Sequence, residues 1–386
     1  MTSSVSRPAS SFAAVTRLLD LRPAGGVVRP HAVQLGIVAG RSGPRFLVPL
    51  DHRGAAPEVC LSYLGLRDVR TRITRGAVGW ALRAHADRLV ARERVTADGG
   101  PGSLIAHLAE LLHDPDQEPG LAVGVGLGQL DEVWKPTLQI FRPDGTPAAF
   151  VKIGLGPVAK RLVTTEAATL RAWGRFGDPR LVVPELIAES IWNDIPIAVI
   201  APLPLDARRL PPGTPPAWPV RELDGPAVSA APTEAPWWTQ RRAATADHLM
   251  VDALLDQIES RHGDEQAWAR WHGDWVPWNL ARCHRGLVAW DWEYSEPGAP
   301  VGLDEVHGAY QQARVLEGRS ISESLALSHA PRDTTFDPAG SRRWLADAHV
   351  AMLLTRSTEL EQLSGTPPRH QPELLAAATA ISRRRS

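Results

Sequence analysis

Apolar positions along this chain change period several times, and each change marks an element. Arg45 to Leu50 and Glu58 to Leu64 read as two short strands on either side of a Gly-Ala-Ala-Pro turn region. From Thr74 to Val95 the apolar residues Val78, Ala81, Leu82 and Leu89 fall at helical spacing, and Ser103 is placed to cap a helix that runs through Leu112 and closes at Pro115. Leu121 to Val125, Lys135 to Phe141 and Ala148 to Ile153 follow as three consecutive antiparallel strands, with Asp144-Gly145 as a tight turn between the last two. Val158 to Trp173 is helical, and Pro184 to Trp192 pairs with Ile195 to Ala201 as a hairpin about Asn193-Asp194, completing a five-stranded lobe. Pro211 to Trp238 is Pro-rich and aperiodic, a long loop. Helical spacing returns at Ala243 to His262, Glu305 to Leu316, Ser341 to Leu363 and Pro372 to Ser382.

Composition narrows the class without naming a function. A chain of 386 residues exceeds one ordinary compact core, so two or three units are expected. Its 44% hydrophobic and 22% charged content is that of a soluble globular protein. With 42 basic and 43 acidic residues, net charge recruits neither nucleic acid nor membrane. Eight arginines between Arg67 and Arg94 make one segment locally basic, and they read as a solvated helix face. Two cysteines, Cys60 and Cys283, leave no disulfide or zinc framework. No apolar run reaches the ~18 residues a bilayer requires. The first twenty residues are broken by Arg7, Pro8 and Arg17 before a secretory core can form, and a cytoplasmic protein is expected.

Two charges interrupt otherwise apolar elements. Lys152 breaks the strand Ala149-Phe150-Val151-Lys152-Ile153, and because burying a lone ammonium costs on the order of several kcal/mol, it requires a carboxylate. Glu166 lies on the same face of the next helix as Leu162, Val163, Leu170 and Trp173, fourteen residues after the lysine. Each is costly alone and sensible beside the other. Ahead of them, Gly124, Gly126 and Gly128 make the first strand connection glycine-rich, able to lay backbone N–H groups over phosphates or to serve as a loose turn.

The stretch Trp271 to Trp292 holds the densest chemistry. His272-Gly273-Asp274 is followed by Asn279 five residues after the aspartate, then by the apolar run Leu287 to Trp290 ending in Asp291. A hairpin turning about Arg285 sets Asn279 opposite Asp291, an amide oxygen beside a carboxylate. Such oxygens suit a hard cation such as Mg2+. Asp274, one loop away, is placed to accept a proton from an attacking hydroxyl.

This order and spacing resemble the catalytic and metal loops of kinases, most closely the aminoglycoside phosphotransferase and choline kinase group of small-molecule kinases, over about Leu121 to His307. The resemblance implies a bilobal protein kinase-like fold of α+β class, with a small antiparallel-sheet N-lobe and a mainly helical C-lobe. It implies that Asp274 is the base, that Asn279 and Asp291 hold Mg2+, and that His272 and Asp304 brace the loops. Lys152, held by Glu166, would contact the α- and β-phosphates. Ala201 to Leu203 would meet the adenine edge, where between Pro202 and Pro204 only Leu203 donates an N–H. The boundaries implied are an N-terminal extension at 1–116 without a counterpart, an N-lobe at 117–201 and a C-lobe at 202–386. Trp292-Glu293 stands where protein kinases carry Phe-Gly, which points away from that group.

Two rivals fit less well. Arg261-His262-Gly263-Asp264 repeats H-G-D, but Ala269 stands five residues beyond Asp264, so it is read as a helix end. Gly154-Leu155-Gly156-Pro157-Val158-Ala159 matches a dinucleotide fingerprint, yet that fingerprint requires a parallel β-α-β unit and an antiparallel meander precedes it. The expectation is therefore an ATP-dependent phosphotransferase acting on a hydroxyl of a sugar, amino alcohol or aminoglycoside-like acceptor. A pseudokinase-like binding or scaffold protein is the alternative, and transfer of AMP is a catalytic variant. Six tryptophans crowd the active stretch, Trp268, Trp271, Trp275, Trp278, Trp290 and Trp292, and either stack on an acceptor or pack the core.

Overall fold

A computed structural model describes residues 10–25, 30–41, 43–113, 120–128, 130–173, 181–210, 227–330 and 339–385. The chain divides into two compact units, one of residues 1–167 with 184–208, the other of residues 168–183 with 209–386. The first is built on an antiparallel sheet and the second is mainly helical, so the α+β class read from the sequence is the one observed.

The expected five strands are contiguous in space. Ala122–Gly126, Thr137–Phe141, Pro147–Ile153, Ile195–Ile200 and Leu186–Trp192 pair in that order, every pair antiparallel. Valines, isoleucines and Leu138 alternate along them and fill one face of the core. The sheet does not stop there. Gly43–Pro49 pairs with Ala122–Gly126 through Phe46 opposite Gly126 and Leu47 opposite Val125. Val33–Gly40, Glu93–Ala97 and Arg22–Pro23 continue it to nine strands. The expected boundary at 116 therefore does not separate a domain, because the first hundred residues extend the sheet of the N-lobe. The expected boundary at 201 lies at 208 instead.

Helices cover both faces of this extension. Ser11–Leu18 and Leu104–Leu111, the latter capped by Ser103 as the sequence indicated, pack with Leu35, Leu47 and Val123 on one face. Ala55–Leu61 packs with Val38, Val48, Ala122 and Phe141 on the other. That helix corrects the strand expected over Glu58 to Leu64. Val59, Leu61 and Tyr63 alternate as a strand would, but Ala56, Val59 and Cys60 also recur at helical spacing, and Pro57 suits a first helical turn. The basic segment likewise splits, into helices Val69–Arg83 and Asp87–Val90 and then a strand. Arg75 is not solvated: it is buried, donates to the Val59 carbonyl at 2.7 Å and lies over the Phe46 ring.

The glycine-rich connection is also revised. Gly124 lies inside a strand, where a Cβ would meet Val59 Cγ2 at 2.4 Å, so its missing side chain seats the Ala55–Leu61 helix. Gly126 is in the same strand and Gly128 follows it. No strand pair in this sheet is parallel, which removes the dinucleotide fingerprint at Gly154.

In the second unit, helices Pro236–Thr245, Leu249–Arg261, Leu303–Gln311, Ile321–Ser328, Ala339–Ser364 and Gln371–Arg385 surround the strands Gln266–Trp271 and Glu296–Pro300. Ile321–Ser328, opened by a Ser320–Glu323 capping box, was not expected, nor was the break that makes Pro236–Thr245 a helix of its own. Most of the expected loop over Pro211 to Trp238 lies outside the described residues. Trp268, Trp271, Trp275 and Trp292 are buried, which settles their packing role.

Replacing Gly124 by Ala should lower stability by about 1–3 kcal/mol, and adding Val59→Ala should recover part of the loss. A double-mutant cycle on urea midpoints measures that coupling; additive effects would separate Gly124 from Val59.

Candidate functional site

In the sheet unit, the lysine and glutamate that interrupt apolar runs are together. Lys152 pairs across the sheet with Ala198 and Thr137, so it projects from the face opposite Val151 and Ile153. Glu166 comes from the Pro157–Trp173 helix and places its carboxylate oxygens 2.6 Å from Lys152 Nζ. Both are buried, Glu166 to 2% exposure. A pair this dry is held by mutual charge and hydrogen bonding, and removing either partner strands the other.

Close by in chain and unit, Tyr63 donates its hydroxyl to the Leu203 carbonyl at 3.0 Å and sets its ring against Phe150. Ala201 is tied through its N–H to the Glu185 carbonyl at 2.8 Å. The segment expected to read an adenine edge is thus fixed in part by a residue of the N-terminal hundred, a contact no local sequence signal indicates.

The helical unit assembles the His-Gly-Asp loop around one carboxylate. Asp304, fully buried at the start of Leu303–Gln311, accepts the His272 N–H at 2.7 Å on one oxygen and the Gly273 N–H at 2.9 Å on the other. Burial pushes its carboxyl up to about 7, opposed by those N–H groups and by Arg356. Gly273 has φ +85°, and a Cβ there would meet the Tyr294 carbonyl oxygen at 2.2 Å. Only glycine serves at that position. Arg356 donates to the Gly273 carbonyl at 3.1 Å while its guanidinium lies over the Tyr294 ring.

Partners fix the tautomer of His272. Its Nε2 lies 3.0 Å from the Trp290 carbonyl, which only accepts, and its Nδ1 receives the Asp274 N–H at 3.2 Å. The ring is therefore a neutral Nε2–H imidazole bridging the Asp274 loop to the strand end. Those two bonds brace the loop.

Asp274 is held by Asn279, whose amide donates to its Oδ2 at 2.8 Å and to its backbone carbonyl at 3.1 Å. Burial raises the Asp274 carboxyl to about 7; Glu293 and Asp291 push in the same direction, Arg356 and the Asn279 amide against it. A carboxyl poised there both accepts and releases a proton near neutrality.

The hairpin register differs by one residue from the expected one. Leu280 faces Ala289 and Cys283 faces Gly286, leaving His284-Arg285 as a two-residue turn. Asn279 therefore faces Trp290, whose N–H donates to the Asn279 carbonyl at 3.2 Å, and Asp291 is the next residue on. Asp291 adopts φ +63°, a left-handed backbone that Asp tolerates better than most residues. Such an outlier is held by its surroundings and marks a place where a side chain is being aimed.

With its amide nitrogen committed to Asp274, Asn279 offers Oδ1, and Asp291 offers a carboxylate. Among the described residues no group of three or more His, Cys, Asp or Glu is arranged to hold a metal by itself. One carboxylate and one amide oxygen fit a cation that shares its shell with water and phosphate, as Mg2+ does.

Arg356, His307 and His349 were not expected at the site. His349 stands in the apolar helical run Ala348-His349-Val350-Ala351-Met352, an irregularity that marks it, whereas His307 follows Asp304-Glu305 and Arg356 lies among Thr355, Ser357 and Thr358, so no local signal marks those two.

No protein-family model matches the chain, and no curated protein matches it. Among solved structures it is similar to an amicoumacin kinase in complex with AMP-PNP and Ca2+, at 12% identity over 73% of this chain and 93% of that one, TM-score 0.45. It is similar to an aminoglycoside phosphotransferase in complex with ADP and hygromycin B, at 14% identity over 72% and 98%, TM-score 0.42. A third, described as a putative fructosamine-3-kinase from Thermobifida fusca, has 20% identity over 74% and 100%, TM-score 0.37. At these scores a function for this chain rests on its own residues.

Lys152→Met should cost about 3–5 kcal/mol by leaving Glu166 buried and charged, and Glu166→Leu in the same chain should return most of it, as read from denaturant midpoints. Asp274 gives the fold a pH dependence. Unfolded, its carboxyl loses its proton near 3.8; folded, it keeps it to about 7, so the folded chain holds the extra proton between these values. Stability should accordingly fall as pH rises through that window and level off above it. Asp274→Asn should make the slope shallower in urea titrations between pH 4 and 8.

Proposed function

We propose that this chain is a phosphotransferase that moves the γ-phosphoryl group of a nucleoside triphosphate to a hydroxyl of a small molecule such as a sugar, amino alcohol or aminoglycoside-like compound. The observation that carries this is the Asp274 carboxyl, gripped by the Asn279 amide on a loop pinned by Asp304, with its proton affinity raised to about 7. A binding or scaffold module has no use for a base so constructed.

Asp274 accepts the proton of the acceptor hydroxyl as that oxygen bonds to the γ-phosphorus and the bond to the β-phosphate oxygen breaks, releasing the nucleoside diphosphate. Asn279 keeps the carboxylate turned toward the hydroxyl and offers its own oxygen, with that of Asp291, to the cation. Mg2+ bound there supplies neutralisation of phosphate charge. Lys152, oriented by Glu166, pairs with α- and β-phosphate oxygens, and Leu203 presents the backbone edge for the base. Gly126 and Gly128 remain candidates for the phosphate lid; Gly124 is spent on packing. The two cysteines, buried Cys60 and half-buried Cys283, are free thiols, which favours a reducing compartment such as the cytoplasm. No helix among the described residues is long and apolar enough to cross a membrane.

Thermal unfolding with ATP, GTP or NADH, each with and without Mg2+, tests the reading. A stabilising shift that requires both a nucleoside triphosphate and Mg2+ is expected. Asp291→Ala should lose it. Asp274→Asn should keep it while slowing transfer by about 10²–10⁴-fold, followed by product masses with a panel of hydroxyl acceptors. A shift with NADH alone would sink the proposal, and an AMP-modified product would replace phosphorylation by nucleotidyl transfer.

A further inference from the structure

Three imidazoles of the helical unit run nitrogen to nitrogen away from Asp274. His307, on Leu303–Gln311, places Nε2 at 3.8 Å from Asp274 Oδ1. Its Nδ1 is 3.3 Å from Nε2 of His349, on Ala339–Ser364, and His349 Nδ1 is 3.2 Å from Nε2 of His329, which closes Ile321–Ser328. His307 and His349 are fully buried, while His329 is half-buried. The Tyr310 ring packs on both inner imidazoles, and the Gln311 amide is 3.4 Å from His307 Nε2. Burial, with the charge of Arg356, holds His307 and His349 well below 6.5, so both are neutral at pH 7.

A neutral imidazole has one N–H and one lone pair. Two rings joined nitrogen to nitrogen must therefore donate in the same direction along a row. The row has two ordered states: every ring protonated on Nδ1, donating outward from His307 to His329, or every ring protonated on Nε2, donating inward, with the last N–H facing Asp274. The 3.8 Å gap to Asp274 closes with a small side-chain rotation.

We propose that His307, His349 and His329 are a proton relay serving Asp274, by which the proton taken from the acceptor hydroxyl is exchanged for one released at the outer end of the row. This rests on the phosphotransferase reading. A proton passes from Asp274 to His307 Nε2, the His307 Nδ1 proton to His349 Nε2, the His349 Nδ1 proton to His329 Nε2, and the His329 Nδ1 proton to water. One proton enters, one leaves, and His307 and His349 are neutral before and after. The row ends in its inward state. After products leave, the same hops run backward, restoring the outward state and passing the proton through Asp274 to water in the opened site. The relay lets Asp274 recover its base form while substrates exclude water from it. These histidines act through Asp274 and touch no reacting atom.

The first test needs no turnover. Long-range ¹H–¹⁵N correlation spectra of the histidine-labelled chain should show His307, His349 and His329 in one shared tautomer, and His329→Ala should alter the His307 pattern at the other end. Mixed tautomers, or a His307 spectrum indifferent to His329→Ala, would overturn the relay. The second test uses Mg·ATP-dependent phosphorylation of a hydroxyl acceptor from the panel named above. His349→Phe and His329→Ala should lower kcat by about tenfold to a hundredfold with KM for ATP unchanged and the solvent isotope effect altered, and added imidazole should rescue His329→Ala. Unchanged kcat in a folded His329→Ala chain refutes the relay. Absence of ATP hydrolysis and of acceptor phosphorylation in the unaltered chain refutes the phosphotransferase reading instead, and the tautomer result still stands alone.

Discussion

A single carboxylate, that of Asp304, fixes the His-Gly-Asp loop. Each of its oxygens takes one backbone N–H, from His272 and Gly273, and both donors precede the residue whose geometry matters. Backbone N–H groups buried without partners are costly, so the loop has one low-energy path across the helix start. Gly273 makes that path possible because no Cβ fits beneath the Tyr294 carbonyl, and Arg356 closes the opposite side on the Gly273 carbonyl. Asp274 then emerges in a fixed direction, where Asn279 meets it. Asp274 is thus oriented by main-chain hydrogen bonds, which change less with side-chain mobility than a loop anchored by surface contacts.

The same economy governs the sheet unit at Lys152 and Glu166. Neither charge is tolerable alone at its burial, and their pairing locks a helix to a strand in one register. This is also why the pair was readable from sequence. A cation in an apolar strand and an acid on the apolar face of the next helix form an anomaly that only each other resolves. The clustering of His272, Asp274 and Asn279 was readable through spacing. The hairpin register was not, because a turn about Arg285 and a two-residue turn at His284-Arg285 differ by one position and the apolar run Leu287 to Ala289 is buried whichever is chosen.

Other features left weaker traces. Glu58 to Leu64 satisfied two periods at once, and packing against Gly124 decided between them. The glycines that looked like a phosphate loop were partly a strand needing room for Val59. The role of the first hundred residues was hidden because strand pairing is long-range: nothing near Gly43–Pro49 states that its partner is Ala122–Gly126. His307, His329 and His349 are separated by at least twenty residues, and only the helix packing brings their rings into a row.

The continuation of the sheet past Ala122–Gly126 changes what a minimal version of this protein is. A chain cut to the region that resembles small-molecule kinases would begin with that strand as an open edge, its hydrogen-bonding groups unpaired and Val123 and Val125 stripped of the helices that cover them. An exposed edge of that kind recruits other chains. It would also lose Tyr63 from the Leu203 carbonyl. The N-terminal segment is therefore an integral part of the first unit, and deletions that treat it as an appendage produce a sticky fragment in place of a smaller folded protein.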